Sequence, residues 1–218
     1  MPFGMRFMWG EWRWLLPPTV LAVWAGLAEH PLLFTLALLL LGVLVLLFSE
    51  KPPQVPTLPL GILSPASGRV IAVEEVQDSR LPRSSILVTI QVGLFSAYHC
   101  YSPTEGLIKE CWYRPAEGAA SGNDYRSYWV RTDEGDDLVV AQSCRRFLGA
   151  SRFHLQPGQR LGHGHQFGAL RFGGIITCSL PNNAELVVSV GQVVRAGQDL
   201  LGHFVHPQGP RPANGAIS

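Results

Sequence analysis

Two stretches of this chain carry the same punctuation. Leu155-x-x-Gly158-x-x-Leu161-x-x-Gly164 is matched, spacing for spacing, by Val188-x-x-Gly191-x-x-Val194-x-x-Gly197. A second pair, Ser64-Pro65-x-x-Gly68-x-Val70 and Ser102-Pro103-x-x-Gly106-x-Ile108, repeats in the same way. Each reads as a tight turn feeding a strand, because glycine permits positive φ and proline presets a turn. Neither half of such a duplication can bury its apolar face alone. The expected fold is therefore mainly β, a pseudo-symmetric barrel or sandwich.

Short β-rich runs bounded by turn residues support that reading. They are residues 69–76, 86–92, 106–113, 127–131, 138–142, 168–172, 175–180 and 185–190. Residues 143–153 have the composition for a helical turn or two, the one exception. The glycine spacing also resembles the hairpins of biotinyl and lipoyl carrier domains, which belong to the hybrid barrels. Carriers need a lysine at an exposed turn, and the chain has only Lys51 and Lys109, neither in a glycine-rich turn. Carrier function is excluded and the carrier-like fold is kept. The net charge of +1 gives no basic field for nucleic acid. Cys100, Cys111, Cys144 and Cys178 form no C-x-x-C pair and read as buried reduced thiols.

Residues 1–48 differ from everything that follows. Two apolar segments, 14–28 and 31–48, are separated by Glu29-His30. The second, as a helix, rises about 27 Å, close to a bilayer's hydrocarbon thickness. Trp9, Trp12, Trp14 and Trp24 suit headgroup level, and Arg6 and Arg13 favour a cytoplasmic amino terminus. The expectation is a membrane anchor of one or two helices over 1–48. A Pro-rich extended linker follows over 49–61, then the β-domain over 62–205 and a flexible tail over 206–218. Two crossings return the β-domain to the cytoplasmic face, and a single crossing does not.

The order of these parts resembles the short phosphatidylserine decarboxylases. The resemblance is carried by Ser64-Pro65-Ala66-Ser67-Gly68-Arg69-Val70, by Tyr98 to Gly106 and by Gly158 to Gly164. It runs on through Leu170-Arg171-Phe172-Gly173-Gly174, Leu180-Pro181 and Val190 to Gly197. It implies a membrane-attached enzyme that converts phosphatidylserine to phosphatidylethanolamine with a pyruvoyl group cut from its own chain. In the family a serine follows the glycine of an R-F-G-S type motif. Its hydroxyl attacks the preceding carbonyl, the ester eliminates to dehydroalanine, and hydrolysis leaves the pyruvoyl cap.

Here that position is Gly174. Glycine has no hydroxyl to attack with and no β-carbon from which to eliminate. Gly173 and Gly174 therefore read as a degenerate self-cleavage position, with no pyruvoyl and no other cofactor expected. Thr177 and Ser179 are the nearest hydroxyls, in a different register. The family's histidine falls on His99 with a one-residue gap, either as a base or as a structural histidine. Ser96 and Ala97 stand where its aspartate partner is expected, and Ser67 replaces the aspartate of S-P-A-D-G.

Arg145, Arg146, Arg152 and Arg171 are candidates for phosphate recognition, against ordinary surface pairing with the acidic turn around Gly135. That turn, with Asp133, Glu134, Asp136 and Asp137, reads as an exposed hairpin. His163 and His165 read as solvated turn histidines, and no metal site is expected. Three functions follow. One is a non-catalytic phospholipid-binding or regulatory family member, paired with an active paralogue or with itself. The others are an active decarboxylase using another nucleophile, and a structural membrane adaptor.

Overall fold

The computed structural model describes residues 12–48, 53–56, 58, 60–78, 80–93, 99–114, 123–145, 151–153, 155–170 and 173–205. The chain forms two compact units, Met1–Pro52 and Pro53–Ser218.

The first unit holds α1 (Trp12–Leu27) and α2 (Pro31–Phe48). Pro17 and Pro18 lie inside α1, where each removes a backbone donor. The Thr19 hydroxyl donates to the Leu15 carbonyl at 2.6 Å, the i−4 back-bond open to a helical threonine. Pro31 opens α2 at the first helical position, where its missing N–H costs nothing. Between the helices Glu29 adopts φ +56° and His30 N–H bonds the Ala25 carbonyl at 2.9 Å, closing the last turn of α1. The helices pack through small residues: Ala22, Ala25 and Ala37 are buried. Among the described residues no helix is long and apolar enough to cross a membrane. The α2 backbone reaches 18 residues only with its last turn, Leu46 to Phe48, whose side chains lie outside the described set.

Among the described residues the second unit holds fourteen strands. In chain order they are β1 (Gly61–Leu63), β2 (Gly68–Gln77), β3 (Ser84–Val92), β4 (His99–Tyr101), β5 (Gly106–Arg114), β6 (Asn123–Arg131) and β7 (Asp137–Arg145). There follow β8 (Ser151–Phe153), β9 (Arg160–Leu161), β10 (Gln166–Leu170), β11 (Gly174–Pro181), β12 (Ala184–Leu186), β13 (Val193–Val194) and β14 (Leu200–Phe204). An eight-stranded antiparallel sheet runs β13-β2-β3-β11-β7-β6-β5-β9 and curls into a half-barrel. Two three-stranded sheets, β1-β14-β12 and β4-β10-β8, complete the unit.

The sheet orders read the same from either end, and they explain the repeats. Strands β4 to β10 form one contiguous half; β1 to β3 and β11 to β14 form the other, into which the first is inserted. The hydrogen bonds coincide pair by pair. Gly158 N–H bonds the Ile108 carbonyl at 2.8 Å, and Gly191 N–H bonds that of Val70 at 2.7 Å. Gly164 N–H bonds the Ser102 carbonyl at 3.0 Å, and Gly197 N–H bonds that of Ser64 at 2.8 Å. The local two-fold passes between β11 and β7, where Cys178 faces Val140. Alternating residues face one core: Val70, Val88, Ile90 and Ile176 from one half, Ile108, Tyr128, Val130 and Leu138 from the other. Burial of each such side chain contributes about 1.5–3 kcal/mol. The Tyr128 and Phe167 rings meet edge-on with centroids 5.0 Å apart.

Two expectations change. The described part of 143–153 is strand: Ser143 pairs with both Ile175 and Tyr125, so neighbours on both sides override helix propensity. In 185–190 only Ala184–Leu186 is strand. The rest runs irregularly into a turn where Gln192 N–H bonds the Ser189 carbonyl at 3.2 Å.

Candidate functional site

Gly173 and Gly174 sit where the chain returns from the inserted half to the centre of the large sheet. Gly173 has φ +79°, a left-handed conformation that favours glycine. Gly174 then opens β11, facing Val92 of β3, while Ile175 faces Ser143 of β7. A β-carbon on Gly174 would fall 2.6 Å from the Ser143 carbonyl oxygen and 3.1 Å from both terminal methyls of Leu170. Ser143 and Leu170 are buried, so neither contact yields freely. Gly174 supplies no hydroxyl and its recess has no room for a side chain.

The hydroxyls further along β11 are engaged elsewhere. Ser179 Oγ donates to Asp78 Oδ2 at 2.5 Å and is buried. Thr177 Oγ1 lies 3.4 Å from the Ala141 carbonyl. Both residues pair on one side with β3 and on the other with β7, which holds their backbone flat. Attack on a preceding carbonyl requires a bent chain with the hydroxyl in near-attack geometry.

His99 is buried in β4, its ring edge-on to Tyr101 at 6.5 Å between centroids. In register, His99 faces Ala169 of β10, and Ala169 faces Arg152 of β8 on its other side. The sheet thus brings the His99 and Arg152 backbones into one row, four residues before Gly173. Arg145 ends β7, paired with Asn123, two residues beyond Ser143. The side chains of Arg145 and Arg152 lie outside the described residues, as do Arg146 and Arg171 entirely, and with them Ser96 and Ala97. Ser67 Oγ accepts a hydrogen bond from Ala196 N–H at 2.9 Å, so it pins the second glycine repeat to the first Ser-Pro turn.

The acidic turn departs from its expected exposure. Asp133 and Glu134 are exposed, but Asp136 is buried, its N–H bonding Thr132 Oγ1 at 3.0 Å and its Oδ1 accepting from Asn183 Nδ2 at 3.0 Å. Asp137 accepts from the Trp129 indole at 2.8 Å and pairs with Arg131 at 3.2 Å. Tight packing behind the turn draws these two side chains inward. His163 is likewise only half exposed. Burial lowers its pKa, partly offset by Glu105. It lines a half-open cleft with Glu105, Glu134, Thr104, Thr132 and Phe204. Gly164 has φ +65°, so His163-Gly164-His165 is a turn and not an extended pair. Among the described residues no three His, Cys, Asp or Glu side chains come together as a metal shell.

The signals that sequence missed are contacts across the fold. The Ser143 carbonyl and Leu170 close the Gly174 recess, and Asp78 holds Ser179 from 101 residues away. No local pattern announces either.

The architecture defines a class: a duplicated β-domain with a glycine pair at the head of its central strand. The description of phosphatidylserine decarboxylases matches residues 44–202. The chain is 34% identical over 179 residues to the phosphatidylserine decarboxylase proenzyme of Nitrosomonas eutropha, covering 78% of this chain and 83% of that protein. It is 34% identical over 180 residues to that of Nitrosomonas europaea, with 79% and 83% covered. With that of Aromatoleum aromaticum the identity is 28% over 170 residues, covering 74% and 79%. No solved structure matches. The chain belongs to the phosphatidylserine decarboxylase family.

Proposed function

We propose that this chain is a phospholipid-metabolism protein of the phosphatidylserine decarboxylase family that does not mature into a pyruvoyl enzyme. In this reading it binds phospholipid or regulates an active paralogue. It is held at a membrane by residues 1–48, with the β-domain on the cytoplasmic face. One observation carries the reading: glycine stands at 174, where the family motif calls for a serine. The closed recess above Gly174 supports it. The hydrogen bonding of Thr177 and Ser179 within β11 weighs against either serving as a substitute nucleophile.

Intact-protein mass spectrometry of the purified full chain tests the proposal. The expected result is one species of 23.9 kDa, inert towards hydroxylamine and cyanoborohydride, with no carbon dioxide released from phosphatidylserine. Two fragments meeting at Gly173-Gly174, the carboxy-terminal one bearing a carbonyl, would sink it.

A further inference from the structure

The two rims of the half-barrel carry opposite charge. One rim is formed where β2 ends and β7 begins, with Gln77 facing Ser84 and Arg131 facing Asp137. Asp78, Glu105, Asp133, Glu134, Asp136 and Asp137 gather there. Its arginines are largely engaged: Arg131 pairs with Asp137, Arg160 with Asp133, and Arg83 donates to the Asp137 carbonyl at 2.5 Å.

The opposite rim is read directly from the register. Val193 faces Arg69, Arg69 faces Gln91, Gln91 faces Ile175, Ile175 faces Ser143, Ser143 faces Tyr125 and Tyr125 faces Arg114. This row crosses β11 at Ile175, the residue after Gly174. Val193 is 62% exposed, Tyr125 45% and Ile175 39%, and Val190 beside them is 61% exposed. Arg69 and Arg114 are exposed as well. Among the described residues neither has a carboxylate partner; Arg69 donates to the Gly191 carbonyl at 2.8 Å. Arg126 lies over the Tyr113 ring, 5.1 Å from its centroid. Asp124 is the one carboxylate among the described residues of this rim.

We propose that the rim carrying Arg69, Ile175, Tyr125, Arg114 and Val193 docks on an anionic phospholipid surface. Exposed apolar tips and a tyrosine between arginines that have no carboxylate partner among the described residues combine the two attractions of an interfacial site: burial at the headgroup boundary and Coulomb attraction to anionic lipid. The acidic rim faces away from such a surface, because like charge repels it. Docking in this sense puts the Gly174 recess at headgroup level. The inference rests on reading the protein as one that works at phospholipid surfaces, and is independent of whether residue 174 is catalytic.

Hydrogen exchange of the full chain in nanodiscs tests it, comparing phosphatidylcholine alone with phosphatidylcholine plus phosphatidylglycerol. Peptides over 68–72, 123–127, 174–177 and 189–194 should exchange more slowly in the anionic discs. The slowing should be roughly five-fold or more, the order expected of one arginine at an anionic surface. High salt should reverse it. The variant Arg69→Glu with Arg114→Glu should lose the protection while exchange across β3 and β7 stays at the wild-type rate. Equal exchange in both discs, or protection centred on 131–137, overturns the proposal. A cleaved chain that still shows rim protection refutes the loss of maturation and leaves the docking intact.

Discussion

The carbonyl oxygen of Ser143 lies 2.6 Å from where residue 174 would place a β-carbon. Real side chains do not approach backbone oxygen that closely, so a residue other than glycine must push β11 away from β7. Gly174→Ser is therefore expected to destabilise the domain by about 1–3 kcal/mol, the usual cost of overpacking. It should also leave the chain uncut, since a hydroxyl alone does not supply near-attack geometry on the Gly173 carbonyl. Urea titration and intact mass measure the two effects separately. Gly174→Ala controls for bulk without a hydroxyl. Efficient self-cleavage of the serine variant at wild-type stability would show that the recess opens freely.

Ser179 has a structural task that a nucleophile could not share. Its hydroxyl donates to the Asp78 carboxylate at 2.5 Å inside the sheet. Ser179→Ala removes a hydrogen bond to a charged acceptor and is expected to cost about 2 kcal/mol. Its cleavage state should equal that of the wild type, and the same holds for Thr177→Val. If either substitution changed the number of fragments on a denaturing gel, the alternative-nucleophile reading would gain the support it now lacks.

The duplication was legible because turns are written locally. Gly158 and Gly191 both need positive φ, at +83° and +92°, and glycine supplies it at matching places in the two repeats. The long strands were legible too, since β2, β3 and β11 are β-rich apolar runs bounded by turn residues. The short strands β9 and β13 span two residues each, too few for any alternation to register. At the site, the missing hydroxyl could be read from one letter. That Ser143 and Leu170 fill the space could not, because they come from strands that meet β11 only in three dimensions. His163 shows the same limit: its burial depends on the cleft it shares with Glu105 and Phe204.

That burial gives a pH dependence whose sign is fixed. The His163 pKa is lowered in the folded state by desolvation, from the usual 6.5. The unfolded chain then binds the proton more readily than the folded one. Stability from this residue is complete above the unfolded value and declines as pH falls below it, towards the folded pKa. Denaturant midpoints of wild type and His163→Gln, compared at pH 7.5 and at pH 5.5, isolate the effect. The wild type should lose more stability over that interval than the variant does. Equal losses would assign the acid sensitivity to other groups.

The thiols should separate by burial. Cys100 and Cys178 are fully buried, and burial pushes the Cys178 thiol far above its usual range. Cys111 is partly accessible, with its pKa raised by burial and secondarily by Glu110. The thiolate is the reactive form, so iodoacetamide at neutral pH should modify Cys111 slowly, and faster as pH rises. Cys100 and Cys178 should react only after denaturation. Peptide mass mapping reads all three sites, and rapid native labelling of Cys178 would contradict the packing around the local two-fold.

Gly164 offers a quantitative check on how residues 53–56 are held. It has φ +65°, and a β-carbon there would overlap the Val55 side chain. Gly158 also has positive φ, at +83°, but open space around it. Gly158→Ala should therefore cost only the conformational term, about 1–2 kcal/mol. Gly164→Ala carries that term and the overlap, which adds about 1–3 kcal/mol if Val55 is firmly seated. Val55→Ala removes the obstructing methyls, so in its background the Gly164→Ala cost should fall to that of Gly158→Ala. Urea titrations of the four chains complete the cycle, and the coupling between positions 55 and 164 is the quantity of interest. A coupling near zero would mean that Val55 leaves its seat at little cost. A large one fixes residues 53–56 on the turn that the first glycine repeat ends with.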